Sequence, residues 1–244
     1  MYKETLSKDL PKFDRIGAAT LEQAGLVTKL GLALLFLLVV WVGVTIVSAG
    51  GEQRTIVIIA GIIGGYMALN IGANDVANNV GAAVGSRALT MVGALVIASI
   101  FEAAGAIVAG GDVVGTISKG IIAPEDFPNS DMFIWCMLSA LLAAALWVNI
   151  ATMMNAPVST THAVVGGVMG AGIAAVGFQL VNWGTMSAIA ASWVISPVLG
   201  GVIAAIFLAF IKINIIYQPD KIAAARRWVP MLVAIMAGAF ACYL

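Results

Sequence analysis

Apolar runs recur along the chain at lengths suited to membrane-spanning helices, separated by short polar stretches. Leu30–Ser48 is the first, just long enough at ~1.5 Å per residue for a ~30 Å hydrocarbon core. Gly50–Thr55, GGEQRT, then reads as a tight turn. Ile56–Ile71 forms a second run that continues directly into a polar stretch, and Leu89–Ala109 a third. Asp112–Asp131 carries four acidic residues, Lys119 and two prolines, and reads as an exposed loop. Met132–Met153 and Ala163–Leu180 are the fourth and fifth runs. After a VNWG turn comes the long Thr185–Ile211 run, where Ser196-Pro197 predicts a kink. Lys212–Trp228 is polar, and Val229–Leu244 is a seventh run. The pattern predicts an all-α polytopic membrane protein of about seven hydrophobic segments, with a polar leader over residues 1–29 and a transmembrane domain over residues 30–244.

Composition agrees. Hydrophobic residues make up 61% of the 244 and charged residues 10%, and the mean hydropathy is +1.05. An ordinary soluble domain holds about 45–50% apolar residues. Twelve basic and twelve acidic residues leave no net charge, so nothing points to nucleic acid as a partner. Cys136 and Cys242 lie inside apolar runs without a CxxC or Cys/His neighbour, and read as small core hydrophobes.

Two polar stretches interrupt this background. The first, Gly72–Gly81, is GANDVANNVG, which sets Asp75 among Asn74, Asn78 and Asn79. A carboxylate within the bilayer costs at least ~2.5–3.5 kcal/mol, so a chain that keeps one there usually has a use for it. On a helix Asp75 shares a face with Asn78 and Asn79, and this set of carboxylate and amide oxygens suits a hard cation such as sodium, a proton, or the surroundings of an oxyanion. A polar helix-packing patch is the plainer reading. The bracketing Gly72 and Gly81 permit backbone bending or close approach, both useful where a helix is broken to expose its backbone to an ion. A further acid, Glu102, falls near the middle of the third run, as part of a transport pathway or as a protonated or hydrogen-bonded structural group.

The second stretch, Asn155–Gly172, is NAPVSTTHAVVGGVMGAG. Pro157 forbids a continuous helix and biases Ala156 away from helical geometry, so the chain breaks near membrane depth. Ser159, Thr160 and Thr161 are N-cap types, and His162 opens the next run. A new helix start with clustered hydroxyls makes an anion cradle, or simply a capped turn. Gly166, Gly167, Gly170 and Gly172 favour close helix packing behind it.

The basic residues set an orientation. With the amino terminus inside, Lys3, Lys8, Lys12, Arg15, Lys29, Arg87, Lys212, Lys221, Arg226 and Arg227 all fall on the cytoplasmic side, leaving Arg54 and Lys119 outside. A multi-pass protein of the cell (plasma or inner) membrane with a cytoplasmic amino terminus is expected. Both polar stretches then lie towards one side and can meet.

GANDVANNVG, a glutamate-bearing helix, and NAPVSTTHAVVGGVMGAG in this order resemble the inorganic phosphate transporter (PiT) family over about residues 56–180. The resemblance implies a secondary transporter importing inorganic phosphate, not an enzyme, with sodium ions or protons as coupling ions and no other cofactor. It implies Asn74, Asp75, Ser159, Thr160, Thr161 and His162 at the phosphate, and Asp75, Asn74, Asn78 and Glu102 for sodium or coupling. The GANDVAN spelling is similar to that of the sodium-coupled branch. Family members carry two inverted copies of this unit, of which one is found here, so the chain is expected to be the first-repeat half of a longer polypeptide; the abrupt end of the last run at Leu244 suggests the same. The second repeat would be its partner within the lipid bilayer, and a homodimer is a further arrangement.

Other readings stay open at this level. A sulfate or proton-coupled permease of the same family has the same local features. An intramembrane protease would use Ser159 and His162, or Asp75 with Glu102, yet Ser159 is better used as a cap and the two acids make an unusual pair. A passive channel predicts a continuous pore without ion coupling.

Overall fold

The computed structural model describes Gly25 and residues 27–243. The expected leader over residues 1–29 lies almost wholly outside them. The helices are α1 (Val27–Val47), α2 (Arg54–Gly85), α3 (Met91–Lys119), α4 (Ser130–Met153), α5 (Thr160–Val176), α6 (Trp183–Ile211) and α7 (Lys221–Tyr243). Short 3-10 turns at Pro124–Asp126 and Phe178–Leu180 and a π-helical segment at Lys212–Ile216 join them. All but α5 are long and apolar enough to cross a membrane, and the span of α6 runs on through the π segment to Ile216.

The chain divides into two compact units. One holds residues up to Phe101 and Pro124–Gln179; the other holds Glu102–Ala123 and Leu180 onward. In the first unit α4 packs along both α2 and α5. Met67 of α2 and Ala144, Ala145 and Val148 of α4 are its buried centre, with Tyr66, Ile71, Leu141, Val158, Ala163 and Val164 around them. Small residues set the spacing. A Cβ on Gly167 of α5 would come within 2.7 Å of the Ala140 carbonyl oxygen, so α5 and α4 approach to backbone contact only because that position has no side chain. A Cβ on Gly61 of α2 would meet Val44 at 2.6 Å, which seats α1 against α2 in the same way. Gly166 and Gly170, by contrast, face open space.

Four details refine the sequence expectation, and two of them, the reach of α3 and the burial in the loop after it, depart from it. Helix α2 runs unbroken through the GANDVANN stretch. Each helical glycine costs only about 1 kcal/mol, less than unpaired backbone groups would cost inside a bilayer. Helix α3 extends ten residues beyond Ala109, to Lys119. The following loop is only partly exposed, since Ile121, Ile122 and Phe127 are buried and the Asn182 N–H donates to the Ile121 carbonyl at 2.9 Å. The polar Lys212–Trp228 stretch is mostly helical, because KIAAARR is rich in strong helix formers and Asp220 caps it.

Candidate functional site

The break between α4 and α5 is built from its own backbone. Asn155 adopts the left-handed conformation, φ 54°. The Ala156 N–H donates to the Ala151 carbonyl at 2.8 Å and the Asn155 N–H to the Thr152 carbonyl at 3.0 Å, the bond pair of a Schellman ending. Pro157 then prevents the helix from resuming at once. Ser159 restarts it: its hydroxyl oxygen accepts the His162 N–H at 3.2 Å as the N-cap of α5.

Helix α2 holds this break from the side. The Asn74 side chain donates to the Ala156 carbonyl at 3.3 Å and to the Thr152 hydroxyl at 3.0 Å, and its oxygen accepts the Val158 N–H at 3.2 Å. Its amide therefore stands in for a peptide group opposite Pro157, satisfying backbone on both sides of the proline. Asn74 is buried, and both its N–H donors are engaged. One residue on, half-buried Asp75 accepts a 2.8 Å hydrogen bond from the Thr160 hydroxyl at the first residue of α5. An intramembrane carboxylate thus lies at the positive end of a helix, bound through one of its hydroxyls.

A second layer lies one helical turn away. Asn149 of α4 donates to the Asn70 side-chain oxygen at 2.7 Å, and Asn70, itself buried, donates to the Tyr66 carbonyl at 2.8 Å. The Thr152 hydroxyl donates to the Val148 carbonyl at 2.8 Å. Asn70 with Asn74 on α2, and Asn149 with Thr152 on α4, form a polar seam between two otherwise apolar helices. None of Asn70, Asn149 and Thr152 was singled out from the sequence, although their i, i+4 and i, i+3 spacings inside apolar runs are a usable signal.

Of the residues expected at the site, Asn74, Asp75, Ser159, Thr160, Thr161 and His162 share the first unit and cluster where α2 meets the start of α5. Ser159, Thr161 and His162 are exposed at that helix start, and Asn78 is exposed one turn further along α2. Glu102 is exposed on α3 and belongs to the second unit.

A break between two helices that sets hydroxyls and a helix start against a carboxylate is an arrangement that secondary transporters use. The chain matches the Phosphate transporter family over residues 71–243 and belongs to it. It is 52% identical over 216 residues to a "Putative phosphate permease" of Helicobacter pylori (strain J99), covering 88% of this chain and 40% of that protein. A protein of the same name from Chlamydia muridarum is 45% identical over 177 residues, covering 72% of this chain and 42% of its own. Among solved structures, "The sodium-dependent phosphate transporter" matches with a TM-score of 0.66 and 46% identity, over 70% of this chain and 42% of that one. The chain thus spans about two fifths of the length of each of these three relatives. Membership in a family of transporters, with Ser159 engaged as a helix cap, sets aside the intramembrane protease.

Proposed function

We propose that this chain supplies one half of a sodium-coupled importer of inorganic phosphate, with Asp75 as a sodium ligand and the start of α5 as the phosphate cradle. The observation that carries the reading is the 2.8 Å bond from Thr160 to Asp75, which ties the carboxylate to the hydroxyls expected to receive the anion.

Electrostatics assigns the roles. Phosphate arrives with one or two negative charges, whereas a helix start offers about half a positive charge. Asp75 already answers that half charge. A second anion brought to ~4 Å from it meets a repulsion of about 4 kcal/mol at an effective dielectric of 20. A sodium ion on the Asp75 carboxylate, with Asn78 and nearby carbonyls as further oxygen donors, reverses the sign of that interaction. Each ligand then raises the affinity for the other by reciprocal linkage, and that linkage is the coupling. Ser159 and Thr161 donate hydroxyls, Thr160, whose one O–H is held by Asp75, offers its backbone N–H at the helix start, and His162 lies at the rim. Asn74, with both N–H donors committed, shapes the break and offers at most its oxygen. Glu102 serves as a coupling or structural acid on α3.

The relatives are longer than this chain, and the remaining length is where a second, inverted copy of the unit would complete the site. The clustering of basic residues supports a cytoplasmic amino terminus and α6–α7 turn. Sodium-gradient-driven uptake of radiolabelled phosphate into proteoliposomes holding the complete transporter tests the reading. Uptake should require sodium and saturate with phosphate, and sulfate should compete weakly. Uptake driven equally by a proton gradient alone would replace sodium with protons.

A further inference from the structure

The turn joining α6 to α7 carries a cavity of about 570 Å³ with mixed polar and apolar walls that include Asn214, Gln218, Asp220, Ala223, Arg227 and Trp228. We propose that it binds the phosphodiester headgroup of an anionic glycerophospholipid, with an acyl chain lying between α6 and α7. The assignment is independent of the transport site and lies wholly within the second unit.

Position comes first. One candidate span ends at Ile216 and the next begins at Lys221, so the turn between them lies at a membrane face. Arg227 is six residues into α7, about 9 Å along the axis from Lys221, comparable with a headgroup layer of roughly 5–8 Å on each side of a bilayer. Trp228 is held there edge-on against Phe210, ring centroids 5.0 Å apart, with the Arg227 guanidinium 5.3 Å from its ring centre. Tryptophan and arginine at this depth are typical interfacial anchors.

Charge comes next. Of the four basic residues in this segment, Lys212, Lys221, Arg226 and Arg227, the last lines the cavity together with the segment's single acid, Asp220. Asp220 is committed to the helix: its carboxylate accepts the Ile222 and Ala223 N–H groups at 3.1 and 2.9 Å. The amides also have capacity. Asn214 donates to the Phe210 carbonyl at 3.0 Å and Gln218 to the Ile213 carbonyl at 2.9 Å, which leaves each a second N–H. The π-helical turn, closed by the Tyr217 N–H on the Lys212 carbonyl at 2.9 Å, widens the backbone where the cavity opens.

A lipid, and not free phosphate, is the occupant because a second, apolar crevice of about 160 Å³ lies between the same two helices. Ile206, Phe207 and Phe210 of α6 and Met231, Leu232 and Ile235 of α7 line it, one turn or so below the first cavity. Phosphate alone has no use for an adjoining apolar slot; an acyl chain does.

The test uses the purified protein in a neutral detergent. Dioctanoyl phosphatidylglycerol and dioctanoyl phosphatidylcholine are titrated separately, and bound lipid is counted by native mass spectrometry. Phosphatidylglycerol should be retained preferentially. Arg227→Gln should cut that preference about fivefold, the worth of one basic residue near an anionic surface. Ala223→Phe, which fills the cavity with every charge intact, should cut it comparably, whereas Arg54→Gln should leave it unchanged. Circular dichroism and monodisperse elution establish that the variants fold. Equal retention of the two lipids, or full preference in a folded Ala223→Phe protein, would overturn the site. Displacement of the lipid by millimolar inorganic phosphate would reassign the cavity to the free anion.

Discussion

Thr160 donates its hydroxyl to the Asp75 carboxylate at 2.8 Å across 85 positions of sequence, joining the two polar stretches of the chain at one point. Thr161, its neighbour, is exposed at the same helix start without that bond to Asp75. The two threonines should therefore differ. Thr161→Val removes one hydroxyl donor and should weaken phosphate binding by about 1.5–3 kcal/mol, leaving its sodium dependence intact. Thr160→Val removes a hydroxyl whose one O–H is held by Asp75, so it should chiefly alter sodium affinity and change phosphate binding through that sodium dependence. Equilibrium binding of radiolabelled phosphate at several sodium concentrations separates the two effects.

Asn74 makes a different prediction. Asn74→Leu strips a partner from the Ala156 carbonyl and from the Val158 N–H, and takes one of its two bonds from the Thr152 hydroxyl. Buried groups left unsatisfied cost about 1–3 kcal/mol each, less where the membrane allows other partners. The variant should lose thermal stability together with phosphate binding, and scanning fluorimetry in detergent reads the first directly. Unchanged stability would make Asn74 a ligand and not a clamp.

Much of this arrangement was legible beforehand. The runs of apolar residues located the helices because a bilayer demands ~20 such residues per crossing. Pro157 located the break, and Asp75 marked the polar site because its burial is costly. Residue types alone did not separate Asn74 from Asn78, since both offer the same amide at helical spacing. Their difference depends on which face of α2 meets α4, a tertiary fact. The continuity of α2 past Gly72 and Gly81 accords with a second run that carries the polar stretch towards its far end; glycine permits a bend, and only the surrounding packing decides whether one occurs.

The polar seam between α2 and α4 gives a third prediction. Asn70→Leu and Asn149→Leu should each destabilise the protein, and the double variant should be less destabilised than their sum. The coupling should be on the order of 1 kcal/mol, in keeping with hydrogen bonds between membrane helices. A double-mutant cycle on melting in detergent measures it.

Backbone approach gives a fourth. Gly167→Val must push α5 off the Ala140 carbonyl and should cost about 1–3 kcal/mol, whereas Gly170→Ala points into open space and should be neutral or slightly stabilising. Thermal melts of the two proteins decide this. Equal behaviour would deny that α4 and α5 touch at Gly167.

The most direct test of sodium coupling through Asp75 is the phosphate affinity of the purified transporter across a sodium titration, compared with Asp75→Asn. In the unaltered protein phosphate affinity should climb with sodium, because a cation on the carboxylate turns repulsion into attraction. Asp75→Asn keeps the size of the side chain and its contact with Thr160 but removes the charge, so affinity should become nearly independent of sodium. A folded Asp75→Asn protein whose phosphate affinity rises with sodium as steeply as before would contradict the account.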